Sequence, residues 1–216
     1  MLRASFEEAF SAQTGPTRGR AVRLVHTGTP YERGESTGQE PDPISPYAAS
    51  KAAAYAIVRM FHRTKGWPIV TVRPFQVYGP GQPERALIPA AIMAAQTRQP
   101  FRMTGGEQRR DFVYVDDVVH GYLLAAINGV DSHSYDFGWG QTHSLQTVVN
   151  RLYTMMQAKT QPIFGAIPYR PGEIWEQRAD VRSTVQELGW SPRTTLEKGL
   201  SLTVESFLLD NPALKL

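Results

Sequence analysis

Tyr47 and Lys51 stand four apart in the run Ser45-Pro46-Tyr47-Ala48-Ala49-Ser50-Lys51. On a helix that spacing places both side chains on one face, one turn apart. A tyrosine, with an ordinary pKa of about 10, is a poor base at neutral pH, and a neighbouring ammonium group stabilises its phenolate. The pair therefore suits proton abstraction. The same two residue types also make an ordinary, partly exposed helix face, so the spacing alone leaves both readings open. Other chemistries are bounded more firmly. The chain has no cysteine, which excludes disulfides, thiol nucleophiles, iron–sulfur clusters and thiolate metal sites. Its five histidines are scattered without ligand spacing, so no metal site is expected.

A helix starting at Ser45-Pro46 must carry the pair. Ser caps it, Pro fits its first helical position, and it runs to about Lys65, where Gly66 stops it. Ahead of it come an expected helix over Leu2–Ala12, a strand over Ala21–Thr27 and a loop from Gly28 to Ile44. Behind it lies an apolar strand, Pro68–Arg73. Further on, the pattern predicts a helix over Ala86–Thr97, a strand near Asp111–Val115 and a helix from Asp116 to about Ile127. A strand over Ser134–Gly138, a helix over Leu145–Gln157, and helical stretches near Thr184 and over Leu196–Leu209 complete the chain. Alternation of this kind is typical of α/β proteins with a parallel sheet.

The composition agrees with a folded protein. The 216 residues are 41% hydrophobic and 20% charged, long enough to bury roughly 70% of the surface an unfolded chain exposes. The net charge is only +3, from 23 basic and 20 acidic residues, and no basic run is interleaved with aromatics, so no nucleic-acid partner is expected. Glu7 and Glu8 interrupt the start where a signal peptide needs an apolar stretch. No run approaches the ~18 apolar residues of a membrane span. The expectation is a cytoplasmic protein with no membrane partner.

Several motifs follow one another in order. Thr29-Pro30-Tyr31-Glu32-Arg33-Gly34 comes after the first strand, and Arg73-Pro74-Phe75-Gln76-Val77-Tyr78-Gly79-Pro80-Gly81 closes the next. Gly105-Gly106-Glu107-Gln108-Arg109-Arg110-Asp111-Phe112-Val113-Tyr114-Val115-Asp116-Asp117 is followed by Arg170-Pro171-Gly172-Glu173 and Leu188-Gly189-Trp190-Ser191-Pro192. The ordered set resembles the NAD-dependent epimerase/dehydratase family of extended short-chain dehydrogenase/reductases, which acts on nucleotide sugars. It extends from about Ala21 to Phe207. The resemblance implies an α/β fold: the carboxyl-side part of a Rossmann-type parallel sheet with a small mixed α/β substrate-binding domain. Residues 1–80 would form a partial dinucleotide-binding domain to which segments such as 111–137 return, and 81–216 would mainly hold the nucleotide sugar.

By the same resemblance Tyr47 is the catalytic base, Lys51 its partner and a contact to the nicotinamide ribose, and Thr29 the hydroxyl that bonds the reacting group. Phe75 falls at a backbone contact to the nicotinamide. Gln76 stands where many members have a substrate-contacting Asn, a departure from the pattern. Arg110 and Arg170 correspond to two arginines that bracket the nucleotide diphosphate, a task suited to a forked, permanent cation. Plainer roles stand beside these. Arg110 next to Asp111 also reads as a surface ion pair, and Gln76 as a partner of local backbone groups. Asp116 and Asp117 read as helix-start charges, and Trp139, Trp175 and Trp190 as packing.

Two departures bear on the chemistry. The 4,6-dehydratase branch carries an Asp-Glu pair directly after the catalytic Thr, whereas Thr29 is followed by Pro30-Tyr31, with Glu32 one place too far along; dehydration is disfavoured. The family also opens with a glycine-rich turn that cradles the cofactor pyrophosphate, and no such motif precedes Thr29. The resemblance thus implies four strands, on the order of 100 residues at about 30 per βαβ unit, that this sequence does not hold: a truncated or split form, or a late start. The expected activity is that of a UDP-glucose 4-epimerase-like enzyme using NAD in preference to NADP. Alternatives are a 4-keto-sugar reductase, or a non-catalytic fragment that binds nucleotide sugars. The expected protein partner is a second copy or a chain that completes the sheet.

Overall fold

The computed structural model describes residues 23–33 and 42–210. The expected helix over Leu2–Ala12, the start of the Ala21–Thr27 strand and much of the loop after Arg33 lie outside the described residues. Strand β1 (Leu24–Thr27) pairs in parallel with β2 (Ile69–Pro74), which pairs in parallel with β6 (Ser134–Phe137). The register sets Leu24 against Ile69 and Thr27 against Val72, then Thr71 against Ser134 and Pro74 against Phe137. All three strands thus end on the same side. β2 is central and its first five residues are buried, as its apolar sequence requires.

Alternation along the strands assigns the two faces. Leu24 and Ile69 pack with Val58 and Phe61 of helix α1 (Pro46–Lys65). Val25, Val70, Val72, Tyr135 and Phe137 pack with Val118, Tyr122 and Ala125 of helix α3 (Val115–Asn128). The two helices therefore cover opposite faces.

Helix α1 begins and ends where its sequence says it must. Ser45 Oγ accepts the Ala48 N–H at 3.1 Å, and Gly66, at φ +67°, donates its N–H to His62 O. The left-handed φ is why a glycine stands there.

A second core forms where helices α2 (Leu87–Thr97), α4 (Leu145–Met155) and α6 (Leu196–Asp210) gather around the parallel pair β3 (Gln76–Tyr78) and β5 (Phe112–Tyr114). Ile88, Ile92, Phe112, Val148, Leu152 and Leu200 are its buried centre. A small sheet joins β4 (Arg109–Arg110) to β7 (His143–Ser144), antiparallel, and to β8 (Glu176–Gln177), parallel. Helix α5 (Arg182–Leu188) closes on the first sheet's side of the molecule, where Trp190 is 1% exposed beside Phe137.

Most expected elements appear within a few residues. The strand expected over Asp111–Val115 begins with Arg109–Arg110 in a different sheet, because Asp111 lies between β4 and β5 and turns its carboxylate inward. Its oxygens accept N–H groups of Trp139, Gly140 and Ala179 at 2.7, 2.8 and 3.1 Å. The α4 helix stops at Met155, two residues early, since Gln157 takes φ +49° and the Ala158 N–H turns back to Tyr153 O. The short strands β3, β7 and β8 carry no periodic signal at two or three residues each.

Candidate active site

The carboxyl ends of β1, β2 and β6 form one rim, the place where open parallel sheets carry their ligands. At the end of β1, Thr27 joins two helices. Its carbonyl oxygen accepts a 3.0 Å hydrogen bond from Lys51 Nζ on α1, and its hydroxyl lies 2.8 Å from Tyr122 OH on α3. Among the described residues, two Nζ–H donors of Lys51 remain. The same ammonium lies 6.0 Å from the centre of the Tyr47 ring. Tyr47 is 57% exposed, and among the described residues no hydrogen bond holds its hydroxyl. The expected pair is therefore on one face, near the rim, with the phenol open.

Thr29 follows Gly28 at the same rim and is buried. Its hydroxyl oxygen accepts a long 3.5 Å bond from the Tyr31 N–H, which leaves its own proton to donate. The next residues form a 3-10 turn, Pro30–Arg33. Glu32 in that turn is only 3% exposed and faces inward: one oxygen accepts the Thr29 N–H at 2.8 Å, the other the Arg73 Nε at 3.2 Å. Neither Glu32 nor Arg73 stands out in a periodicity reading of the sequence. The signal that could have found them is Arg73 itself, a charge inside the buried run Ile69–Arg73 that must have a partner.

Phe75 and Gln76 leave β2 at the rim. The Phe75 N–H donates to Phe137 O at 3.0 Å, and its carbonyl accepts the Val77 N–H at 3.0 Å. Among the described residues the second lone pair of that carbonyl accepts no main-chain hydrogen bond. Gln76 donates its main-chain N–H to Asp111 O at 2.9 Å, while among the described residues its half-buried side-chain amide makes no hydrogen bond.

Arg110 differs from a surface ion pair with Asp111. It is 6% exposed; Nη2 donates to Glu173 Oε1 at 3.0 Å and Nη1 to the Arg109 carbonyl at 2.9 Å. Its Nε–H is left over. Arg170, in the same Arg170–Glu173 motif as that carboxylate, is exposed and among the described residues pairs with nothing. The structure places Thr29, Tyr47 and Lys51 around the end of β1, and Gln76 beside the Asp111 that follows Arg110; it does not bring Arg170 into contact with Arg110. A cavity of about 460 Å³ adjoins the Arg170 loop, lined among others by Glu107, Gln146, Phe164 and Tyr169.

The neighbouring acids and aromatics have structural work. Asp117 is buried and accepts the Arg193 and Thr194 N–H groups at 3.1 and 2.9 Å. Trp190 Nε1 donates to the Asp117 carbonyl at 2.9 Å. Trp175 packs edge-on to Tyr169. Asp116 is exposed in the first turn of α3.

A Rossmann-like parallel sheet with a tyrosine–lysine pair, a buried threonine hydroxyl and an inward arginine at its carboxyl rim defines the class. The family described as the NAD dependent epimerase/dehydratase family matches residues 12–138, and the chain belongs to it. It is 33% identical over 208 residues to a dTDP-glucose 4,6-dehydratase of Xanthomonas campestris pv. campestris, covering 89% of this chain and 59% of the relative. Among solved structures it is similar to the UDP-glucose 4-epimerase of Thermotoga maritima with UDP-glucose: TM-score 0.82, 28% identity, 88% of this chain and 64% of that one. It is also similar to the DesIV dTDP-glucose 4,6-dehydratase of Streptomyces venezuelae with NAD and TYD bound: TM-score 0.80, 27% identity, 88% and 61% covered. The chain thus spans about three fifths of the length of the relatives it matches. No described helix is long and apolar enough to cross a membrane.

Proposed function

We propose that these residues form the sugar-oxidising and nucleotide-gripping part of a nucleotide-sugar 4-epimerase. The observation that carries the reading is the turn after Thr29. Pro30 and Tyr31 supply no carboxylate there, and the one carboxylate of the turn, Glu32, is spent on Thr29 N–H and Arg73. Elimination of water from a sugar needs an acid and a base; proton transfer at one hydroxyl needs neither of these in addition to a phenolate.

In this reading Tyr47 takes the proton of the sugar 4-hydroxyl and Thr29 donates a hydrogen bond to the same oxygen. Lys51, anchored on Thr27 O, holds its ammonium 6.0 Å from the centre of the Tyr47 ring. Bound NAD would accept the C4 hydride and return it to the opposite face of the 4-keto sugar. The free Lys51 donors suit the nicotinamide ribose, and the Phe75 carbonyl suits the carboxamide. Gln76, Arg110 and Arg170 would hold the nucleotide sugar, with Arg110 aimed by Glu173.

No glycine-rich turn of the family's pattern precedes Thr29 in the sequence, and two surfaces support a partner that completes the sheet. Among the described residues nothing pairs with the outer edge of β1. On the neighbouring helix α3, Val119, Leu123 and Ile127 form an i, i+4, i+8 stripe, 54, 59 and 72% exposed. An open strand edge beside an apolar helix stripe fits a parallel strand with its helix, from a segment carrying the glycine-rich turn. The test is a chimera in which the part of the Thermotoga maritima epimerase that this chain does not cover is placed ahead of Arg23. Inversion at C4 of UDP-glucose supports the reading. A folded chimera that binds UDP-glucose and NAD yet leaves C4 unchanged contradicts it, in favour of a binding fragment.

A further inference from the structure

Arg73 and Glu32 are each 3% exposed, and burying a charge at that depth is costly unless its geometry is closely specified. Here it is specified from four directions. Glu32 Oε2 receives Arg73 Nε at 3.2 Å and Glu32 Oε1 receives the Thr29 N–H at 2.8 Å, while the Glu32 N–H reaches back to Thr29 O at 3.3 Å. The guanidinium lies 4.8 Å from the centre of the Tyr55 ring, on the helix that carries Tyr47 and Lys51, one turn beyond Lys51. On its far side Asp136 Oδ1 of β6 is 3.8 Å from Nη1. A Cβ on Gly28 would stand 2.6 Å from Glu32 Oε1 and 3.2 Å from Arg73 Cγ, so a larger residue before Thr29 would push the carboxylate out of this position.

We infer that Glu32 and Arg73 are positioning residues for Thr29. Through one carboxylate and one guanidinium they fix the threonine hydroxyl against helix α1, and so against Tyr47. The inference rests on the reading of Thr29 given above as the donor to the reacting oxygen. Glu32 touches no substrate atom in it; both its oxygens point into the protein.

Amide exchange in the 216-residue chain itself, with no cofactor, is the first arm of the test. Glu32→Ala should speed exchange of the Thr29 amide by ~100-fold or more while the Val70 and Val72 amides of β2 keep their protection. If β2 protection is also lost, the Glu32→Gln/Arg73→Gln variant, which removes both charges together, is read the same way. The second arm is kinetic, in the chimera. Glu32→Gln should lower kcat ~10-fold with KM for UDP-glucose within about twofold, and should cost less than about twofold in a Thr29→Ala background, because it acts through that hydroxyl. Unchanged Thr29 exchange, or losses that multiply in the double variant, would overturn the inference. A chimera inactive before mutation would sink the proposed function instead, and the exchange arm would still decide this one.

Discussion

Lys51 Nζ donates to the Thr27 carbonyl at 3.0 Å, binding the helix of the candidate base to the last residue of the edge strand. The bond orients the ammonium with two donors to spare and keeps it within 6.0 Å of the Tyr47 ring centre. Thr27 is pinned from one face by Lys51 and from the other by Tyr122.

Replacing Tyr47 with Phe keeps the ring and removes the titrating oxygen. Because the side chain is exposed, the fold should be intact, and turnover by the chimera should fall by ~100-fold or more. Near-normal turnover would remove Tyr47 from the role of base.

The two arginines should respond differently in stability and alike in binding. Arg110→Lys keeps a charge beside Glu173 but loses the fork that also reaches the Arg109 carbonyl, so the melting temperature should drop; the exposed Arg170→Lys should leave it unchanged. Each should weaken nucleotide-sugar binding by ~1–3 kcal/mol. Calorimetry with UDP, dTDP and GDP checks both variants and reports the preferred base; affinities equal to the parent's would reduce Arg110 to a buried ion-pair partner.

The chain on its own should bind NAD weakly, at millimolar Kd or worse, about −4 kcal/mol or less favourable, because no glycine-rich turn anchors the pyrophosphate. It should also self-associate through the β1 edge. Calorimetry joined to light scattering is the check, and micromolar binding by a monomer would show the dinucleotide half to be dispensable.

Acid should weaken the site through His26. Burial holds its pKa below 6.5; the Glu32 charge opposes the shift, and the Lys51 and Arg73 charges add to it. The unfolded chain therefore takes up a proton near pH 6.5 that the folded chain refuses. The stabilisation is present above 6.5 and is lost as pH falls from there through the lower folded-state value. Melting temperatures from pH 7.5 to 5.5 should fall more steeply for the parent than for His26→Phe, which keeps a ring against Tyr55; parallel curves would exclude this histidine.

What the sequence showed best was what local rules govern. Ser45-Pro46 and Gly66 announce α1 to the residue, and the apolar run after Trp67 announces β2. Helical spacing alone puts Tyr47 and Lys51 on one face, while the roles expected of them come from the resemblance. Glu32 escaped because its role depends on Arg73, 41 residues away, and on a 3-10 turn without a periodic signal. Arg110 stood out through the resemblance, but its partner Glu173 sits 63 residues on, across a sheet whose strands are two residues long. Pairings of that kind come from tertiary packing, which no window of neighbours contains.

The most direct measurement follows absorbance at 340 nm and the sugar's C4 configuration together, in the chimera supplied with UDP-glucose and NAD. The account predicts inversion at C4 with no net accumulation of NADH over many turnovers. NADH consumed or produced in step with sugar turnover would mark a reductase, and loss of water to a 4-keto-6-deoxy sugar a dehydratase; either would contradict it.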